Sequence, residues 1–306
     1  MTLTVTFLGT SGAVPTTTRN PSSVFVKREG DAFLFDAGEG TQRQMMQFGT
    51  GFDVSDVFVT HVHGDHVLGL PGLVQTWDFN DRSEPVTIHT PRGTAERLRQ
   101  LIHAIGRPSG FSVTVSEVSP GETVVERDEY AVNAFRTEHR TASVGYALVE
   151  DDRKGRFNRE KAEELGVPVG PKFSELHAGN PVELEDGTIV EPEQVVGDPR
   201  PGRTVVYTGD TRPTDATVDA AEGADLLIHD ATFANDAADR AQDTGHSTAG
   251  EAGRVARKAG VRRLVLTHIS SRYAGDVSAL AEHAKAAFTG RTIVAHDGLE
   301  LDVPYP

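Results

Sequence analysis

Six consecutive residues carry most of the chemistry in this sequence: His61-Val62-His63-Gly64-Asp65-His66. Three imidazoles and a carboxylate so close together form a metal-ligand cluster, because imidazole nitrogen and carboxylate oxygen are the donors that divalent cations such as zinc take up. The cluster follows an apolar stretch, Asp56-Val57-Phe58-Val59-Thr60, that reads as a strand. A loop leaving that strand can fold His61 and His63 toward one metal. Gly64 is then expected to permit the sharp turn that brings Asp65 and His66 to a second.

One cluster does not close two sites. Three further residues of ligand type stand just past the carboxyl ends of apolar runs: His139 after Tyr130–Thr137, Asp210 after Val205–Thr208, and His268 after Leu264–Thr267. Open α/β sheets place their sites at such strand ends. Asp210 is the natural bridge, since a carboxylate has two oxygens to share. Two cations roughly 3.5–4 Å apart suit phosphodiester cleavage, because they activate water and neutralise both the attacking and the leaving oxygen. The chain has no cysteine, so disulfides and thiolate sites are excluded and any metal must sit on histidine and carboxylate.

The elements that must position these residues alternate. Strand-like runs recur at Thr4–Leu8, Ser23–Val26, Ala32–Phe35, Val57–Thr60, Val86–His89, Ser112–Val118, Tyr130–Thr137, Val144–Val149, Thr204–Thr208, Leu226–His229, Leu264–Thr267 and Thr292–Ala295. Helical periodicity appears at Thr41–Gln47, Thr94–Ile105, Thr248–Ala259 and Ser278–Phe288, the last two opening at a hydroxyl residue suited to capping. Alternation of this kind predicts an α/β class, and the closely spaced early strands predict mixed sheets.

The net charge of −15 argues against non-specific nucleic-acid binding, and no DNA partner is expected. Lysine is confined to Lys27, Lys154, Lys161, Lys172, Lys258 and Lys285. That balance fits a salty cytoplasm and equally an ordinary acidic, solvated surface. No apolar stretch approaches the roughly 18 residues of a membrane span, and no signal peptide is read at the start. The cytoplasm is the expected compartment. Residues 151–202 stand apart as polar and rich in Pro and Gly. Within 151–177, Arg153, Lys154, Arg156, Arg159, Lys161 and Lys172 balance Asp151, Asp152, Glu160, Glu163, Glu164 and Glu175. Locally relieved charge is what an RNA-facing insertion in an acidic protein needs; a solvated loop excursion is the plainer alternative.

At His61–His66 the chain resembles the metallo-β-lactamase superfamily. Further segments narrow the resemblance to the ribonuclease Z family: Phe7-Leu8-Gly9-Thr10 with Arg19-Asn20-Pro21-Ser22-Ser23, Asp36-Ala37-Gly38-Glu39-Gly40-Thr41-Gln42, His139-Arg140 with Ser143–Tyr146, Gly209–Pro213, Gly245-His246-Ser247-Thr248 and His268–Tyr273. The resemblance implies a four-layer αβ/βα sandwich of two mixed sheets, one domain over residues 1–306, with a protruding tRNA-binding arm at 151–202. It implies two zinc ions, with manganese the other metal such donors accept. His61, His63 and His139 would hold one and Asp65, His66 and His268 the other, with Asp210 bridging. Asp65 becomes the general base and His246 the residue at the scissile phosphate or leaving oxygen. Asp230 stands in His229-Asp230-Ala231-Thr232 where the family usually has Glu, and a carboxylate role is expected there too. Gly170 and Pro171, close to the arm's Gly-Pro motif, join Arg153, Lys154, Arg156 and Lys172 as the expected tRNA contacts.

The implied activity is removal of the 3′ trailer from precursor tRNA, and the implied assembly a homodimer. Three rivals stand beside it. A small-molecule phosphodiesterase would not need the arm. An exonuclease of the larger superfamily branch would need an extra domain for which 306 residues leave no room. A non-catalytic RNA-binding protein with structural metal would be expected to use closed, cysteine-rich sites.

Overall fold

The computed structural model describes residues 2–104 and 106–306. Ile105, at the end of the helix expected over Thr94–Ile105, lies outside them. The chain divides into two compact units, Met1–Val149 with Arg203–Pro304, and Glu150–Gly202 with Tyr305–Pro306.

The first unit is built on two seven-stranded sheets. One runs, edge to edge, Glu300–Asp302, Leu3–Gly9, Ser23–Arg28, Asp31–Phe35, Asp56–Phe58, Val86–Pro91 and Val113–Val118. The other runs Arg291–Val294, Arg263–Thr267, Leu226–Asp230, Thr204–Tyr207, Val144–Glu150, Tyr130–Arg136 and Thr123–Arg127. Both are mixed. Leu3–Gly9, Ser23–Arg28 and Asp31–Phe35 pair antiparallel, then Asp31–Phe35 through Val113–Val118 pair parallel. In the second sheet Val144–Glu150 and Thr204–Tyr207 are antiparallel, and from Thr204–Tyr207 outward the pairing is parallel.

Alternation along each strand sends one set of side chains between the sheets and the other outward. Val5, Phe7, Phe33, Phe35 and Phe58 meet Tyr146, Leu148, Val205, Tyr207 and Ile228 in a central core. Leu8, Leu34, Val57 and Ile88 pack outward under Met45, Leu73, Trp77 and Leu98, which lie on helices Thr41–Phe48, Leu70–Phe79 and Ala95–Ile102. Val206, Leu227 and Leu264 do the same under Ala252, Val255, Ala256, Leu280 and Ala284 of Ala249–Ala259 and Ser278–Ala287. The result is helix, sheet, sheet, helix.

Thr248 caps its helix as expected, its hydroxyl accepting from the Glu251 amide while Glu251 returns to the Thr248 amide. Ser278 does not cap; Val277 occupies that position, and Asp276 instead accepts the Ser278 amide. Helix Leu70–Phe79, outside the helical stretches expected from sequence, carries Pro71 and Gly72 in its first turn. Proline at the first turn is in fact compatible with a helix start.

The second unit has its own small core of Ala162, Val167, Leu176, Val182, Val190 and Val195, backed by Phe157 and Phe173. Helices Arg159–Glu164 and Pro171–Ala178 and a two-stranded sheet of Val182–Glu183 and Ile189–Val190 supply it. No helix among the described residues is long and apolar enough to cross a membrane.

Candidate metal centre

Every residue expected around the metals sits beyond a strand of the two central sheets, and the structure brings all of them together. His61, His63, His139 and Asp210 each offer a ligand atom within 4.8 Å of the others, and so do Asp65, His66, Asp210 and His268. Around the first set, His61 Nε2 lies 3.0 Å from His63 Nδ1 and 3.5 Å from Asp210 Oδ2, and His139 Nε2 lies 3.2 Å from His63 Nδ1. Around the second, His268 Nε2 lies 3.2 Å from both Asp65 Oδ2 and Asp210 Oδ1, and His66 Nε2 lies 3.5 and 3.3 Å from the same atoms. A tetrahedron with metal–ligand arms of about 2.0–2.1 Å has edges of about 3.3–3.4 Å. Hydrogen bonding through one tautomer explains one such edge, not a closed set of them. Asp210 turns Oδ2 to the first group and Oδ1 to the second.

Four of the five imidazoles are gripped by one nitrogen and present the other. The Thr60 hydroxyl holds His61 Nδ1 at 3.1 Å, Asp36 Oδ2 holds His66 Nδ1 at 2.7 Å, the Gly245 carbonyl holds His139 Nδ1 at 2.7 Å, and the Thr232 hydroxyl holds His268 Nδ1 at 2.8 Å. Such outer partners fix the tautomer and ring orientation of metal-binding histidines. His66 Nε2 and Asp210 Oδ1 are buried and find no hydrogen-bond partner among the described residues. Burying such atoms unpaired is costly, and a cation satisfies both.

The electrostatics agree. Burial, with the neighbouring imidazoles, pushes His61 and His63 down, and burial pushes His139 down, so these rings hold the neutral form that has a lone pair to give. Burial alone would raise Asp65 and Asp210, yet the surrounding histidines hold both carboxyls far below the usual range. His66 is raised despite its burial, because Asp210, Asp36 and Asp65 converge on it. Three carboxylates around one imidazole leave a negative surplus that a cation neutralises. The residues fit a pair of divalent metals.

Local backbone serves this convergence. Gly64 opens a single helical turn, Gly64–Val67, rather than the sharp turn expected of it, and that turn presents Asp65 and His66. His268 adopts φ of 60°, uncommon for a non-glycine residue, and a Cβ on Gly12 would sit 2.6 Å from its Nδ1. The Gly9–Gly12 segment thus borders the site. Gly209 combines φ of 58° with a position where a Cβ would meet the Thr60 side chain at 2.5 Å.

Asp230 and His246 lie beside the cluster. His246 Nδ1 is 2.9 Å from Asp230 Oδ2 and 3.9 Å from Asp210 Oδ2. Burial works against a charge on His246, but Asp230 and then Asp210 outweigh it and push it up to about 9. Asp210, Asp230, His246 and His268 could themselves be grouped as ligands. Asp230, however, already accepts from Thr232 at Oδ1 and from Thr211 and His246 at Oδ2, so it reads as a holder of His246. The shorter Asp side chain therefore still reaches that ring.

Sequence reasoning gave no individual role to Asp36, Thr60, Thr232 or the Ala13 amide, which donates to Asp65 Oδ2 at 2.8 Å. Their only signal is position next to a strand end or a ligand. His89 pairs with Asp56, His283 accepts from the Asn235 amide, and His296 is exposed; His177 contacts the Gly155 carbonyl within the second unit. In that unit Arg153 reaches the Pro201 carbonyl and stacks on Tyr305, Lys154 donates to Ala178 and Lys172 to Glu183. Arg156 and Pro171 are exposed, and Gly170 has φ of 146° at the start of helix Pro171–Ala178.

With this geometry in hand, known proteins can be set beside the chain. The profile of the metallo-beta-lactamase superfamily matches residues 16–268. Ribonuclease Z of Halobacterium salinarum is 69% identical over all of this chain and 99% of its own length. Ribonuclease Z of Methanosarcina acetivorans is 53% identical, covering 99% of each. The human tRNase Z short form superposes with a TM-score of 0.70 at 27% identity, covering 98% of this chain and 99% of its own. Full-length identity at this level, on a scaffold whose strand ends gather seven metal-type ligands, means that the chain belongs to the ribonuclease Z family of the metallo-β-lactamase superfamily.

Proposed function

We propose that this protein is the endonuclease that trims the 3′ end of precursor tRNA, leaving a 3′-hydroxyl tRNA and a 5′-phosphate trailer. The observation that carries the reading is the split carboxylate of Asp210, one oxygen facing each ligand set. Two zinc ions per chain, or manganese in their place, would supply there the positive charge that an in-line phosphodiester displacement needs at its attacking and leaving oxygens. His61, His63 and His139 would hold one, Asp65, His66 and His268 the other, with Asp210 shared.

Asp65 is positioned to take the proton of the attacking water. Its Oδ2 is pinned by the Ala13 amide and faces His268, while its side chain keeps 12% exposure toward the cleft. His246, steadied at Nδ1 by Asp230, serves the phosphate or the departing 3′ oxygen. The nucleophile is water, so the RNA 2′-hydroxyl need not attack. Substrate choice falls to the 150–202 unit, whose exposed Arg156 and Gly170–Pro171 loop present backbone and charge to RNA, a molecule commonly read by shape and phosphate contacts. Arg153, Lys154 and Lys172 of the same unit are further proposed tRNA contacts, and a homodimer is the expected assembly.

The test is incubation with a 3′-extended precursor tRNA, with and without a chelator, followed by chemical mapping of both new ends. A single cut that disappears with the chelator and leaves a 3′-hydroxyl supports the reading. A 2′,3′-cyclic phosphate, or cutting that survives metal removal, refutes it.

A further inference from the structure

The two halves of the metal centre come from opposite sheets. His61, His63, Asp65 and His66 follow strand Asp56–Phe58 of the first sheet, whereas His139, Asp210 and His268 follow strands of the second. A two-metal site tolerates little slack between its halves, yet the sandwich between the sheets is held by apolar contacts, which are not directional. Polar ties between the sheets close to the metals are therefore of interest: backbone bonds from the Val144 amide to the Thr60 carbonyl at 3.0 Å and from the Ile269 amide to the Thr10 carbonyl at 2.8 Å, and two that run through side chains of the second sheet.

Both are tyrosines, and they are neighbours. Tyr146 and Tyr207 face one another in register on adjacent antiparallel strands of the second sheet. Both are buried, at 0% and 3% exposure, and both rings pack on Phe35 of the first sheet. The Tyr146 hydroxyl donates to the Val59 carbonyl at 2.9 Å, two residues before His61. The Tyr207 hydroxyl donates to Asp36 Oδ2 at 2.9 Å.

Asp36 is the hub that makes the second tie matter. Its carboxylate accepts from the Thr60 amide at 2.7 Å and from the Thr60 hydroxyl, and it holds His66 Nδ1. Thr60 in turn holds His61 Nδ1. One buried carboxylate thus orients a histidine of each ligand set, directly for His66 and through Thr60 for His61. Tyr207 stands three residues before Asp210, the shared ligand, and the intervening Gly209 lets the second sheet close against Thr60.

We propose that Tyr146 and Tyr207 are positioning residues that hold the two half-sites in register, Tyr207 by locking Asp36 to the strand that carries Asp210. They touch neither substrate nor metal. The inference rests on the metal reading above, and it predicts that removing a single hydroxyl weakens metal binding more than it weakens the fold.

The experiment compares the wild-type chain with Tyr207→Phe and Tyr146→Phe. Metal content and affinity are measured by competition with a chromogenic chelator. The metal-free proteins are melted, and the cobalt-loaded proteins are examined by visible absorption, which reports ligand geometry. Outer partners of this kind are worth about 10–100-fold in metal affinity. Tyr207→Phe is expected to lose affinity in that range with an altered cobalt spectrum, while its metal-free form melts close to wild type. Tyr146→Phe is expected to act in the same direction. Affinity within twofold of wild type and an unchanged spectrum in either variant overturn the assignment for that residue. So does a drop in melting temperature with metal affinity intact, which would make the hydroxyl merely structural. Should Tyr207→Phe not fold, the conservative change has broken the core itself and the positioning role for Tyr207 is rejected. A wild-type chain that binds no metal would instead overturn the two-metal reading.

Discussion

A divalent metal needs donors that are deprotonated and aimed; burial keeps His61, His63 and His139 neutral, and outer partners aim four of the five imidazoles. Asp65 carries the reaction in this account, so Asp65→Ala should lower precursor cleavage by at least about 10²–10⁴-fold in single-turnover assays. Near-wild-type turnover would remove it as the base. His246→Ala should lower the rate by about 10²-fold or more with metal content unchanged, since its Nδ1 is spent on Asp230. Loss of metal in that variant would make His246 a ligand instead. At this scale the sequence was informative where donors are contiguous, as at His61–His66, or stand at strand ends, as at His139, Asp210 and His268. It was silent on the holders of those donors. Asp36 and Tyr207 are 171 residues apart, and no local pattern reports a contact that exists only once two sheets face each other.

Secondary-structure elements deliver these residues because parallel strands end together on one edge of each sheet. The strands were legible because buried ones read as runs of Val, Ile, Leu and Phe. The short edge strands Thr123–Arg127 and Glu300–Asp302 were not, being mostly exposed and carrying Glu, Arg and Asp. Between adjacent strands Asp56 and His89 form a buried pair at 2.9 Å, with Arg127 at 3.7 Å from Asp56. Burial alone would raise the Asp56 carboxyl, but hydrogen bonds from His89 and Ser55 and the charges of His89 and Arg127 hold it below its ordinary value. A carboxyl depressed in the folded state adds stability that is complete above its unfolded pKa of about 3.9 and is lost as pH falls through the folded value. Asp56→Asn should therefore lower the melting temperature at pH 7, by the equivalent of on the order of 1–3 kcal/mol. The difference from wild type should shrink below about pH 4. A pH-independent difference would show that ionisation of Asp56 is not the cause.

For the molecule as a whole, two properties follow from composition and from the second unit. A net charge of −15 makes the folded chain repel itself, and salt screens that repulsion over about 10 Å at 0.1 M and about 3 Å at 1 M. The melting temperature should rise between those concentrations; a fall would show that paired charges dominate. Residues 150–202 have a core of their own and contribute none of the seven metal-type ligands. Replacing 151–202 by a short linker should therefore spare hydrolysis of a chromogenic phosphodiester while precursor tRNA cleavage falls by an order of magnitude or more. Equal loss of both activities would place the segment in the catalytic machinery. The sequence disclosed this segment through its shift in composition, whereas the spacing of its charges did not reveal that Arg153, Lys154 and Lys172 also bond to the unit's own carbonyls.

Anomalous diffraction at the zinc absorption edge, from crystals grown with zinc, tests the two-metal centre most directly. The account predicts two peaks per chain, roughly 3.5–4 Å apart, one among His61, His63 and His139, the other among Asp65, His66 and His268, with Asp210 between them. A single peak, or a pair elsewhere on the molecule, would contradict it.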